Sequence, residues 1–275
     1  MNSSTLHLCC ILTATAFTIN TQIAHAATWT GNVNTDWNTA DNWNPSGVPG
    51  VGEDADCQMT GNNYTINYDS PMSAASVGHV LVDNDEEHTT TLNINADSFK
   101  SRAPGSRLIV GPNGSVVVGA GGNARFENYW ESGSWLYLRT DGDFTVDGGD
   151  AEFGMHTALV IQSGSTVSVK NGSLTTETDK NIENIRVSGG IMNIEGGTVI
   201  LGDGGIRLGE YSGVGGGAGV LNITGGSLTL NGASSIGFND RSGTLTMSGG
   251  TVTNNSELYI GNDNWGGAHG VMNLS

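Results

Sequence analysis

Gly219-Val220-Leu221-Asn222-Ile223-Thr224-Gly225-Gly226-Ser227-Leu228-Thr229-Leu230 is the most informative run of this chain, because it comes back. It returns as Gly190-Ile191-Met192-Asn193-Ile194-Glu195-Gly196-Gly197-Thr198-Val199-Ile200-Leu201. It returns again as Gly243-Thr244-Leu245-Thr246-Met247-Ser248-Gly249-Gly250-Thr251-Val252. Diverged copies begin at Gly142 and at Gly164, the latter with Asn171-Gly172 in place of the glycine pair. Inside each block apolar and polar side chains alternate, which places every second side chain on one face of a strand. The glycine pair between two such runs marks a tight turn that needs φ > 0 or close backbone approach.

A second signature follows each block, a short apolar-x-apolar run usually closed by glycine. Its clear copies are Leu108-Ile109-Val110-Gly111, Ile206-Arg207-Leu208-Gly209, Ser234-Ser235-Ile236-Gly237 and Leu258-Tyr259-Ile260-Gly261. Weaker ones lie at 136–138, 159–161 and 185–187. The second apolar residues, at 110, 138, 161, 187, 208, 236 and 260, are separated by 28, 23, 26, 21, 28 and 24 residues, about 25 on average. Three short strands with Gly/Asn turns account for a coil of that length. The pattern therefore predicts an all-β chain forming a right-handed parallel β-helix, or β-solenoid, with about 25 residues and three short strands per coil. A Greek-key sandwich also offers short strands at regular spacing. It has no reason to repeat residue types at this period.

Composition agrees and narrows the class. Glycine supplies 43 of 275 residues and proline only 5, so the Gly- and Pro-rich composition of collagen is absent. With 36% hydrophobic and 13% charged residues the chain is not of disordered type. Ten basic against 27 acidic side chains give a net charge of −17. That argues against nucleic acid, whose affinity for proteins rests on clustered Lys/Arg, and disfavours anionic membrane surfaces.

Residues 1–26 hold no charged side chain, carry an apolar core at 8–17 and end in Ala24-His25-Ala26 before Ala27. This reads as a secretory signal peptide cleaved after Ala26, with an apolar core shorter than a membrane-spanning helix requires. Cleavage removes Cys9 and Cys10 and leaves Cys57 alone, without an intrachain disulfide. The expected location is extracellular or at a bacterial cell surface, with no membrane insertion by this segment.

Residues 27–60 form the next division, a segment in which Trp29, Trp37 and Trp43 fall close together. A solenoid must cover the open end of its apolar core, so the expected role is a cap. The alternative is a platform for stacking sugars. Solenoid repeats are expected over 61–275. Trp29-Thr30-Gly31, Asp36-Trp37-Asn38, Asp41-Asn42-Trp43 and Gly47-Val48-Pro49-Gly50, followed by Gly/Asn-punctuated repeats, resemble the start of large bacterial exported β-solenoid proteins. These include autotransporter passenger domains and proteins with a PEP-CTERM-type sorting tail. The resemblance implies export and surface display, not a reaction. Residues 270–275 match 243–248, so the sequence stops within a repeat. This predicts a fragment whose missing C-terminal region carries the anchoring.

Chemistry is sparse. Asn34-Thr35-Asp36 and His269-Gly270 superficially match pieces of a polygalacturonase signature, but no Asp-Asp pair or Arg-x-Lys element lies between them. Glu210, Asp240 and Asp263 recur shortly after the third strand of a coil, where weak calcium binding is conceivable. Solvated turn carboxylates are the plainer reading, and no cofactor is expected. Tyr129, Trp130, Trp135 and Tyr137 place four aromatics within nine residues. Tyr129, Trp130 and Trp135 are the candidate carbohydrate-binding residues, against a packing role. The expected function is a non-enzymatic structural or adhesive surface protein contacting extracellular glycans or other surface proteins. The alternative is a polysaccharide-active parallel β-helix enzyme or carbohydrate-binding module. Two or more carboxylates with a Lys or Arg converging over adjacent coils would favour the enzyme.

Overall fold

A strand with apolar residues at every second position must bury one face while the other stays wet. This chain satisfies that demand by coiling. The computed structural model describes residues 26–71, 76–103, 108–128, 134–138, 142–154, 157–177, 184–209, 217–262 and 267–275. It is a parallel β-solenoid of about 8 turns, with about 25 residues per turn.

One representative turn runs through Ile191–Ile194, Thr198–Leu201 and Ile206–Leu208, one strand on each of three walls. Strands of the third wall form an 11-stranded sheet, and those of the first two join in a 14-stranded sheet. The joint is made by Asp143–Phe153 and Thr166–Thr176, two 11-residue strands that continue through the corner. Their mutual register shifts between Val146 and Asp147 and again between Asp147 and Asp150, where the chain turns.

The repeat spacing becomes vertical register. In the third wall Val82, Val110, Leu138, Ile161, Val187, Leu208, Ile236 and Ile260 are successive Cα partners. In the first wall Met192, Leu221, Leu245 and Met272 follow one another. Parallel pairing already includes Ala55–Gln58, ahead of residue 61, where Cys57 is the partner of Val82. Buried Cys57 is thereby one inward member of the core, and burial, with the Asp56 charge beside it, pushes its thiol well above the ordinary range.

Most core side chains are completely buried, among them Leu92, Val116, Val167, Ile194 and Leu208. A coil alone would leave them wet, so each depends on its neighbours above and below. Gly226 shows why corners tolerate little. Its φ is +68°, and a Cβ there would lie 2.5 Å from the carbonyl oxygen of Gly197, one turn earlier.

The two ends of the core differ. At the N-terminal end Trp29, Trp37 and Trp43 are buried. Trp43 lies edge-on to Trp29 at 5.1 Å and to Trp37 at 4.8 Å. Trp37 also meets Phe99 edge-on at 5.6 Å, and the Trp43 indole N–H donates to the Trp37 carbonyl at 2.8 Å. These rings close the first coils and offer no free face to a sugar. At the C-terminal end Tyr259, Ile260, Val271 and Leu274 are exposed, Ile260 and Leu274 by 53% and 63%. Ile236, one turn earlier in the column of Ile260, is only 1% exposed.

Candidate functional site

Charged side chains gather on the second wall. Alternation along Asn123–Asn128 turns Ala124 and Phe126 into the core and leaves Arg125 and Glu127 outside. Arg125 is the Cα partner of Lys100 in the preceding coil and of Glu152 in the following one. Glu177 extends the column, its amide donating to the Phe153 carbonyl at 2.9 Å.

Arg125 is the hub of this column. Its Nε donates to Glu127 at 2.7 Å, and its two terminal nitrogens donate to Glu152 and Glu177. Glu127 also takes the Nε of Arg102 at 2.7 Å, so each of its oxygens is held by a different guanidinium. Partial burial would discharge Arg125, but the three carboxylate hydrogen bonds outweigh it and hold the guanidinium firmly protonated. Behind the cluster Phe126 stacks on Phe153 at 5.6 Å and leans on Phe99 at 6.2 Å. Ion pairs thus roof a phenylalanine stack.

Carboxylates and arginines converge here over adjacent coils, the arrangement that would favour an enzyme, and they are tied to one another in a lattice of ion pairs. Hydrolysis of a glycosidic bond needs one carboxylic acid with a proton to give and a second carboxylate free to attack or to activate water. Here both oxygens of Glu127, and one each of Glu152 and Glu177, accept from guanidiniums. The cluster escaped the sequence reading, although its signal was present: Arg125 and Glu127 share a strand face, and Glu152 and Glu177 follow Arg125 by 27 and 52 residues, about one and two turns.

Elsewhere the outward positions form polar ladders. Asn93 donates its side-chain amide to Asn67 at 2.9 Å, Asn222 to Asn193 at 3.0 Å and Asn255 to Asn231 at 2.9 Å. Asn193, Asn222 and Thr246, with Glu195, Thr224 and Ser248, line an open groove of about 420 Å³ on the first wall. Such stacks satisfy amide groups along the solenoid axis.

The residues singled out from the sequence do not come together in one place. Tyr129 and Trp130 lie outside the described residues. Trp135 belongs to the strand Ser134–Leu138, its backbone paired with that of buried Ala158. Glu210 and Asp263 also lie outside the described residues, while Asp240 sits at φ +61° with its carboxylate 3.7 Å from Arg241. Among the described residues no three His, Cys, Asp or Glu side chains are placed to hold a metal ion, and no helix is long and apolar enough to cross a membrane. Asn34 and Asp36 serve the N-terminal cap: Asn34 accepts from Asn42 at 2.7 Å and Asp36 from the Asn38 amide at 2.9 Å. His269 stands in the last coil, at the opposite end of the stack. Comparison with protein-family models, curated proteins and solved structures returns no match.

Proposed function

We propose that this chain is a non-enzymatic, exported structural and adhesive protein of a bacterial surface, delivered by a signal peptide cleaved after Ala26. The observation that carries the reading is the state of the outward walls. Their Asn amides are engaged with one another from coil to coil, and the principal carboxylate cluster is bound to Arg102 and Arg125. A surface of this kind presents a long, acidic, hydrogen-bonding face, suited to extracellular glycans or to other surface proteins. The Ala27 amide donates to the Asp54 carbonyl at 2.8 Å within the strand Ala27–Trp29, so cleavage after Ala26 would leave this strand whole.

The test is fractionation of cells expressing the chain, followed by binding of the purified protein to arrayed glycans and to whole cells. Retention in the cytoplasm, or absence of binding to either surface, refutes the proposal. The convergence of Glu127, Glu152 and Glu177 favours a second reading, a polysaccharide-active enzyme. Release of reducing ends or unsaturated sugars from neutral or acidic polysaccharides, abolished by Glu152→Gln, would establish that reading in its place.

A further inference from the structure

We infer that the open groove on the first wall, lined by Asn193, Glu195, Asn222, Thr224, Thr246 and Ser248, binds a neutral, linear polysaccharide laid along the solenoid axis, which rests on the adhesive reading above and gives it a ligand class. Register builds the groove. Asn193, Asn222 and Thr246 are successive Cα partners in adjacent coils, and Ile191, Val220 and Thr244 form the next outward column beside them. At the strand ends Glu195, Thr224 and Ser248 follow one another, the Thr224 amide donating to the Ile194 carbonyl and the Ser248 amide to the Ile223 carbonyl, each at 2.9 Å. The flank beyond them is a row of glycine corners. A Cβ at Gly225 would stand 2.3 Å from the Glu195 carbonyl oxygen, so stacking forbids a side chain there. Glu195, Thr224 and Ser248 are left exposed.

The groups on offer select the occupant. Inside the groove Asn222 donates to Asn193 at 3.0 Å, which leaves the Asn193 amide nitrogen to donate and the Asn222 oxygen to accept. The hydroxyls of Thr224, Thr246 and Ser248 make no hydrogen bond to the described residues. Carboxamides and hydroxyls side by side match the adjacent hydroxyls of a sugar, which also donate and accept. Beside them, exposed Ile191 and half-buried Val220 give the C–H face of a pyranose an apolar surface to lie on. Adjacent coils are ~4.8 Å apart, close to the length of one sugar ring, so a linear chain meets similar contacts from coil to coil. Charge removes the alternatives. A polyanion would face a molecule of net charge −17 and the Glu195 carboxylate, which makes no ion pair among the described residues. A polycation would find that single carboxylate in the groove, with Lys170 at the same corner one coil earlier.

The experiment is titration calorimetry of the purified protein with cello-, xylo- and manno-oligosaccharides, with oligogalacturonides and chitosan oligosaccharides alongside. The expected result is binding of a neutral series, weakened about tenfold when Thr224→Val and Thr246→Val together remove two hydroxyls. Both positions face outward and valine suits a strand, so circular dichroism should not change. Ser248→Ala, at an exposed position, should weaken binding in the same direction. Thr229→Val with Thr253→Val, paired outward positions of the second wall, should leave the affinity as it is. Neutral-sugar binding indifferent to the groove replacements, or tighter binding of either charged series, overturns the inference and leaves the adhesive reading standing. Binding to whole cells without binding of any oligosaccharide does the same. Absence of both takes the adhesive reading with it.

Discussion

Replacing Trp37 by alanine tests whether the tryptophan segment seals the core. Trp37 is fully buried and meets Trp43, Phe99 and Tyr68 edge-on at 4.8, 5.6 and 6.4 Å. Truncating a buried Trp costs about 3–5 kcal/mol. The Trp43 indole keeps its bond, because its acceptor is the backbone carbonyl of residue 37. Cavity and ring contact account for about 4 kcal/mol of loss. For a domain of this size that corresponds to a fall in melting temperature of about 8–16 °C, if the fold melts as one unit. In a solenoid the damage should be graded, because each coil is stabilised by its neighbours. Circular dichroism melts would give the shift. Hydrogen exchange should show lost protection at Ala55–Gln58 and Tyr64–Tyr68, with Gly219–Ile223 unchanged. A shift under about 2 °C with unaltered exchange would refute the capping argument, since burial of this ring would then contribute far less than the cost quoted for such a truncation.

Arg125→Met should cost about 1–2 kcal/mol, because it leaves Glu127, Glu152 and Glu177 facing one another in a half-solvated site. Added salt should recover part of that loss in thermal melts. Gly226→Ala should destabilise by more than about 2 kcal/mol, whereas Gly52→Ala should cost only about 1–2 kcal/mol for the left-handed backbone; at φ +74° it has open space where the Cβ would go. Paired denaturant titrations would read the difference. Cys57 should resist thiol reagents in the native state and react only on unfolding. At Asp85 the Gly61 amide bond at 2.6 Å, and then the His88 contact, hold the carboxyl below its ordinary range. Its contribution is present above the unfolded value and lost as pH falls through the folded one, so hydrogen exchange at Gly61, corrected for its intrinsic pH dependence, should quicken on acidification without global unfolding.

The stacking of Gly219-Val220-Leu221-Asn222-Ile223 on residues 190–194 and 243–247 was legible residue by residue, because a fixed period and a fixed parity leave one register that buries the apolar face. The column from Val110 to Ile260 was legible for the same reason. The joining of two walls by Asp143–Phe153 and Thr166–Thr176 was not. Gly148-Gly149 and Asn171-Gly172 read as turns that end strands, yet each strand continues through the corner, with a shift of register there before pairing resumes at Asp150 and Ser173. The Arg125 cluster was missed for a different reason. Ion pairing across coils depends on which outward positions align, and a search for apolar periodicity discards the outward positions first.

Every coil pairs with the one before it at a separation of about one turn, and the sealed end comes first in the chain. Order along the sequence is therefore also order of assembly. Once the tryptophan segment has closed, each further stretch of about 25 residues finds its template already in place, and loop closure is paid over a short distance however long the stack grows. Folding of this kind proceeds by accretion, like a crystal extending from one face, so it can keep pace with synthesis, which delivers the amino terminus first.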